Sequence, residues 1–359
     1  MSRFCTLAFA IVGSLTLPGF ARADEPSLKK YTPPAESKKD EPIAKQFSMD
    51  KAVSFLDNAA LQWTDKRGCF SCHTNYAYLY ARPMISSKVP AHDEVRHALE
   101  DMVSKRWVTG KPRWDAEVVT TAAALAHNDA HTTKKLHPLT RSALDRMWTV
   151  QQKDGGIRWL KLNQPPMEFD DHYGVTLAAL AVGVAPEDYA KTEIALKGLN
   201  GLRTWLKANP PKNLHHKTMI LWVSTYLDGF MTADEQKATK KALLAKQLPN
   251  GGWSTPSLGD WKRADDLEQD PTISDGYGTG FTIYVLLRAG IAANDPAVVN
   301  GIAWLKANQR ESGRWFTRSL VNDNNKHYLA HIGSAFAVMA IQACEGPRVA
   351  TRLENHDTN

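Results

Sequence analysis

Six times along this chain, a stretch with one wet face is followed by a stretch that is apolar almost all round. Residues 187–208 show the first kind: Tyr189, Ile194, Leu199, Leu202, Trp205 and Leu206 recur at three- and four-residue steps among lysines and glutamates. Residues 174–185, GVTLAALAVGVA, show the second, with similar runs at 118–126, 219–227, 278–291 and 332–343. A helix that is apolar on every side has to be enclosed by protein, and a helix with one apolar face has to cover something. No strand pattern interrupts the alternation.

Pairing each wet stretch with the dry one after it predicts six helical hairpins. Their dry members begin near Cys72, Asp115, Asp171, His216, Asp275 and Tyr328, at separations of 43, 56, 45, 59 and 53 residues, a loose repeat of helix pairs. An open solenoid would leave its inner helices a solvated concave face, which these sequences do not supply. The expected fold class is therefore all-α: an α/α toroid of about six hairpins over residues 47–346, with inner helices enclosed by outer ones and a tail at 347–359.

The N-terminus reads differently. Arg3, an apolar run over 4–20 and the small-x-small site Ala21-Arg22-Ala23 predict a secretory signal peptide at 1–23. Residues 24–46 are rich in Pro, Lys, Glu and Ser, which predicts a flexible leader. The most apolar later run, 281–293, contains Arg288, so none reaches spanning length without a charge. The expectation is an exported protein, periplasmic or extracellular, touching a membrane at most peripherally. The formal charge of +6 includes Arg3 and Arg22, and the remaining basic residues are dispersed. That excludes a nucleic-acid footprint.

The junctions between repeats carry the most specific pattern. Asn300-Gly301-Ile302-Ala303-Trp304-Leu305 leads to Gln309, Gly313 and Trp315, and Gln247, Gly251 and Trp253 repeat the second half. Gln152, Gly156 and Trp159 repeat it with one extra residue. This resembles the QW motif of the squalene cyclase and protein prenyltransferase superfamily. The resemblance implies a toroid whose central cavity holds a hydrophobic, isoprenoid-like ligand. Physically, the Gln can bond exposed backbone at a helix end, the Gly permits a tight exit, and the Trp packs over the next outer helix.

Polar groups gather where the dry helices begin, at what would be one mouth of the ring. They include Asp115 and Glu117, His215 and His216, Asp265, Asp266, Asp270 and Asp275, and His327 and His331. Carboxylates there are equally what helix N-termini favour as caps. The third start, Glu168-Phe169-Asp170-Asp171-His172, resembles the Asp-x-Asp-Asp segment of class II terpene cyclases, with Glu in place of the first Asp. By that resemblance Asp170 would be a catalytic acid and Glu168, Asp171 and His172 its partners. Such an acid requires crowded carboxyls, one of which stays protonated. A reading through sugar hydrolysis by mouth carboxylates is weaker, because the junctions favour the terpenoid family.

One motif fits none of this. Cys69-x-x-Cys72-His73 has the spacing of c-type haem attachment, and an exported chain is where such attachment occurs. Cys69 and Cys72 would form the thioethers and His73 the proximal iron ligand, with Met84, His92, His97 or a mouth histidine as the second. A Cys69–Cys72 disulfide and a metal site remain open alternatives. Two classes follow: an isoprenoid-binding or isoprenoid-transforming toroid, or a haem c redox protein with a redox partner, built on the same scaffold.

Overall fold

Each dry stretch forms a helix, and each wet stretch forms a helix lying against it. The protein is seen in a computed structural model that describes residues 25–67, 73–323 and 328–346. The expected signal peptide, Cys69, Cys72, His327 and the tail at 347–359 lie outside the described residues. In chain order the helices are α1 (Met49–Arg67), α2 (Asn75–Ala81), α3 (Pro90–Asp101), α4 (Trp107–Thr109), α5 (Asp115–His131), α6 (Pro138–Met147), α7 (Asp171–Val184), α8 (Glu193–Ala208), α9 (Leu214–Ser224), α10 (Ala233–Leu244), α11 (Gly276–Arg288), α12 (Pro296–Ala307) and α13 (Tyr328–Glu345). Among the described residues there is no extended strand, only isolated bridges. No helix among them is long and apolar enough to cross a membrane.

The dry helices α2, α5, α7, α9, α11 and α13 pack each against the next, and α13 returns to α2, so the inner ring closes. The outer helices are α1, α3 with its short continuation α4, α6, α8, α10 and α12. Composition explains the division. Every residue of α7 from His172 to Val182 is buried, whereas α8 buries only one stripe, including Leu199, Leu202, Trp205 and Leu206.

The junction residues act as the spacing predicts. Gln309 Nε2 donates to Gly313 O at 3.0 Å and to Ser48 O at 2.9 Å, and Ser48 N donates back to its Oε1 at 2.8 Å. The last outer helix is thereby pinned to the first, which closes the outer ring. Gln247 Nε2 bridges Gly251 O and Ala297 O in the same way. Trp315 and Trp253 are fully buried, and each indole N–H donates at 2.7 Å to the carbonyl of a residue ten positions earlier, Leu305 and Leu243. Burying each such side chain contributes about 2–3 kcal/mol.

The third junction corrects the sequence reading. Gln151, not Gln152, bridges Gly155 O and Gly198 O, both at 2.9 Å, and Gly155, not Gly156, takes the left-handed φ of +89°. Counting from Gln151, the Trp slot falls on buried Ile157, so this copy has no inserted residue and no junction Trp. Trp159 sits two residues on and donates instead to Met167 O.

Several backbone groups of residues 25–46 bond side chains of the ring. Buried Arg314 donates to Ala35 O, Glu36 O and Glu41 Oε2, Leu28 N donates to Glu94, and Thr32 N donates to Asn58. A segment can be ordered this way without a core of its own, since its backbone groups find partners elsewhere.

Candidate functional site

The inner helices all start at the same face, so their N-termini gather the mouth residues. At α7, Asp170 is the N-cap: its Oδ1 accepts from His172 N at 3.1 Å. Its other oxygen, Oδ2, lies 2.9 Å from His216 Nε2 on α9. His216 Nδ1 accepts from Lys212 N, so its proton sits on Nε2 and is donated to Asp170. Burial is the largest single influence and raises the Asp170 pKa, but the His216 hydrogen bond, the His216 and His172 charges and the Tyr173 backbone together outweigh it and hold the carboxyl below the usual carboxylate range. Asp170 is therefore an anion at neutral pH, which is the opposite of what an alkene-protonating acid needs.

Of its expected partners, His172 acts on it, but Asp171 does not crowd it. Asp171 turns outward, accepting from Trp159 N at 2.9 Å and pairing with Lys161 Nζ at 3.0 Å. Glu168 is tied through its backbone to Gln164 and Leu162. Burial, with the Glu168 carboxylate adding, pushes the Tyr328 hydroxyl up. His172 is stacked on His216 with ring centroids 4.3 Å apart, and both of its nitrogens are buried without a hydrogen-bond partner. Burial first and His216 second lower its pKa to about 4. Two further mouth carboxylates serve structure. Asp275 caps α11 and accepts from Thr255, and Glu117 accepts from Arg106 and Trp107.

A pH dependence follows. His172 has a folded value below its ordinary 6.5, so the unfolded chain takes up the proton first as pH falls. Its contribution to stability is complete above about 6.5 and is lost as pH falls toward about 4. His215, lowered to about 3 by burial and then by His216, acts in the same direction. At about 1.4 kcal/mol per pKa unit, acidification from pH 7 to 4.5 is expected to cost on the order of 4–5 kcal/mol. His172→Phe should remove about half of that loss, as read from urea melts at the two pH values.

The lumen is not an empty cavity. Tyr76, Tyr80, Trp222, Tyr277, Phe281, Tyr284 and Phe336 project into it and are each at most 3% exposed. They meet across the ring. Tyr80 on α2 touches Trp222 on α9 at 6.2 Å between centroids, and Trp222 touches Phe336 on α13 at 5.8 Å. Nearer the mouth, the Tyr76 and Tyr173 hydroxyls bond one another, and His215 Nε2 bonds Tyr277 Oη at 2.8 Å. The expected isoprenoid-sized space is thus occupied by aromatic side chains packed edge to face.

At the start of α2 the described part of the cysteine motif comes into view. His73 is 8% exposed, with Trp63 and Tyr328 standing edge-on at 4.9 and 5.8 Å and the His331 ring at 6.5 Å. Thr74 Oγ1 lies 2.9 Å from Nδ1 of both His73 and His331. One hydroxyl donates only one proton, so at least one of these imidazoles carries its hydrogen on Nδ1. The structure thus brings His73 and His331 together, a pairing no spacing in the sequence announces. The other second-ligand candidates named from sequence lie elsewhere. Met84 follows the far end of α2, about 16 Å along the helix direction from His73, and His92 bonds Asn128 beside it. Among the described residues no group of three or more His, Cys, Asp or Glu converges on a metal-sized site.

No family model and no curated protein matches the sequence. Solved structures do match. Type II terpene cyclase MstE from Scytonema aligns with a TM-score of 0.50 at 13% identity, over 82% of this chain and 96% of its own. The ent-copalyl diphosphate synthase of Streptomyces platensis aligns with a TM-score of 0.50 at 12% identity, over 81% of this chain and 51% of its own. The unsaturated glucuronyl hydrolase of Bacillus sp. GL1 aligns with a TM-score of 0.53 at 12% identity, over 83% and 96%. The chain shares the α/α toroid fold with these proteins. Because a glycoside-degrading enzyme has the same toroid, the fold does not select a chemistry.

Proposed function

We propose that this chain is an exported c-type haem protein, in which the toroid is the scaffold and the haem is held at the mouth by Cys69, Cys72 and His73. One observation carries the reading: the His73 imidazole is buried among aromatic rings with its Nδ1 engaged by Thr74. With its hydrogen on Nδ1 and donated to Thr74, this imidazole would present Nε2 as the ligating nitrogen, the usual arrangement behind a metal-bound histidine. Covalently attached haem would supply one-electron chemistry with a redox partner. The chain's own part is to orient His73 through Thr74 and to keep water from it with Trp63 and Tyr328. His331, bonded to the same hydroxyl, is the histidine best placed to act with it.

The test is spectroscopic. Protein matured with a haem-attachment system is expected to show a Soret band and, on reduction, an α-band. The Cys69→Ser/Cys72→Ser variant should lose both. A colourless wild-type protein from cells that attach haem to a control cytochrome would end the reading.

The isoprenoid reading, with Asp170 as acid, draws on the shared terpene-cyclase toroid. It needs an open lumen and a protonated carboxyl, and the packed aromatics and the His216–Asp170 pair weigh against both. Wild-type protein is accordingly expected to leave polyprenyl substrates unchanged. Turnover by wild type that vanishes in Asp170→Asn would reinstate Asp170.

A further inference from the structure

On the face opposite the mouth, a cleft of about 590 Å3 opens between the C-terminal ends of α7, α9 and α11. Gly183, Ala190, Leu199 and Leu227 give it small and apolar walls, and Arg288, the last residue of α11, lines it. The other charged residues around it have company. Lys191 Nζ pairs with Asp188 at 3.1 Å, and Arg203 donates to Asn200 and to the Asp228 carbonyl.

Arg288 does not. Its guanidinium lies over the Tyr226 ring at 4.7 Å, and its Nε is buried with no hydrogen-bond partner. The titratable groups facing it are the Tyr226 and Tyr284 hydroxyls, neutral at neutral pH, rather than a carboxylate. The uncompensated charge is felt nearby: the neighbouring His131 is lowered by burial and, further down, by Arg288. Its place at the end of α11 explains part of its tolerance, since a helix C-terminus favours a cation. The dipole does not, however, engage the five N–H donors of the guanidinium fork. A part-buried guanidinium whose Nε is idle is costly unless something brings an acceptor to it.

We propose that this cleft is a binding site for an oxyanion, carboxylate or phosphate, carried on a small apolar body. The Arg288 fork takes two oxygens in parallel while Tyr226 fixes its plane. The apolar walls cover the body of the ligand. The site is separate from the mouth and independent of the haem reading.

Thermal unfolding of the mature protein tests it, with inorganic phosphate, hexanoate and sodium chloride compared at equal ionic strength. For wild type, phosphate or hexanoate at ten times its Kd should raise Tm by about 2–4 °C over chloride. The arm that responds identifies the oxyanion. Arg288→Met should abolish the increment while its Tm in chloride stays at or above that of wild type. Arg288→Lys, which keeps the charge but not the fork, should bind at least about tenfold more weakly. Equal Tm in all three salts would overturn the site. So would an Arg288→Met protein that is destabilised in chloride yet keeps the increment. Should the Met variant fail to fold, unchanged affinity in Arg288→Lys decides against the fork.

Discussion

Gly313→Ala is expected to destabilise the protein by about 4 kcal/mol. Gly313 has φ of +94°, where an L side chain is strained, and a Cβ there would lie 2.1 Å from Lys51 O. That obstacle is backbone at the start of α1, held in place by the Gln309–Ser48 bonds that close the outer ring. Neither side can yield without opening the closure. Gly110→Ala is the control: its Cβ would approach Arg106 O at 3.3 Å and no left-handed φ is involved. It should cost about 1 kcal/mol or less. Calorimetry or urea melts of the two variants compare them, and equal losses would mean that the ring does not depend on that contact.

Arg82→Met is expected to cost about 3–5 kcal/mol at neutral pH. Arg82 Nε donates to Asp57 Oδ1 at 2.9 Å, both side chains are almost fully buried, and Tyr78 Oη donates to the same oxygen. Without the guanidinium a carboxylate stays behind in the core between α1 and α2. Burial already raises the Asp57 pKa, against the pull of Arg82 and Tyr78. Removing Arg82 raises it further, so the variant's deficit should shrink as pH falls and Asp57 takes up a proton. Asp57→Leu/Arg82→Met should recover much of the loss, because an apolar pair of similar volume needs no compensation. Urea melts across pH 4–8 read both effects.

The ring was legible because a helix that is apolar on every side leaves the chain few alternatives. The six predicted starts fall within three residues of the helices found, Asn75 against Cys72 being the largest offset. The third junction was misread for a local reason. Ile157 stands where the other copies have Trp, and Gln152 and Trp159 offered a false frame one residue on. The leader's bonds to the ring were not legible, because composition reports whether a segment can build a core, not whether Arg314 or Glu94 waits to bond its backbone.

The mouth was half legible. Its carboxylates and histidines were found, but their charge states depend on partners from neighbouring helices. Asp170 reads as an acid beside Asp171 in sequence, and as a stabilised anion beside His216 in space. Nor does periodicity say what a dry helix is buried against. Here α2, α9, α11 and α13 bury their aromatics against one another, where the family resemblance implied a ligand. Arg288, inside a dry run, was noticed only as an obstacle to a membrane span.

What Cys69 and Cys72 hold is decided most directly by the intact mass of the mature protein, purified from cells equipped to attach haem. The expected result is the polypeptide mass plus one haem, retained on denaturation because two thioether bonds hold it. A mass two hydrogens below the reduced chain, with no haem and no Soret absorbance, would show a Cys69–Cys72 disulfide and contradict it.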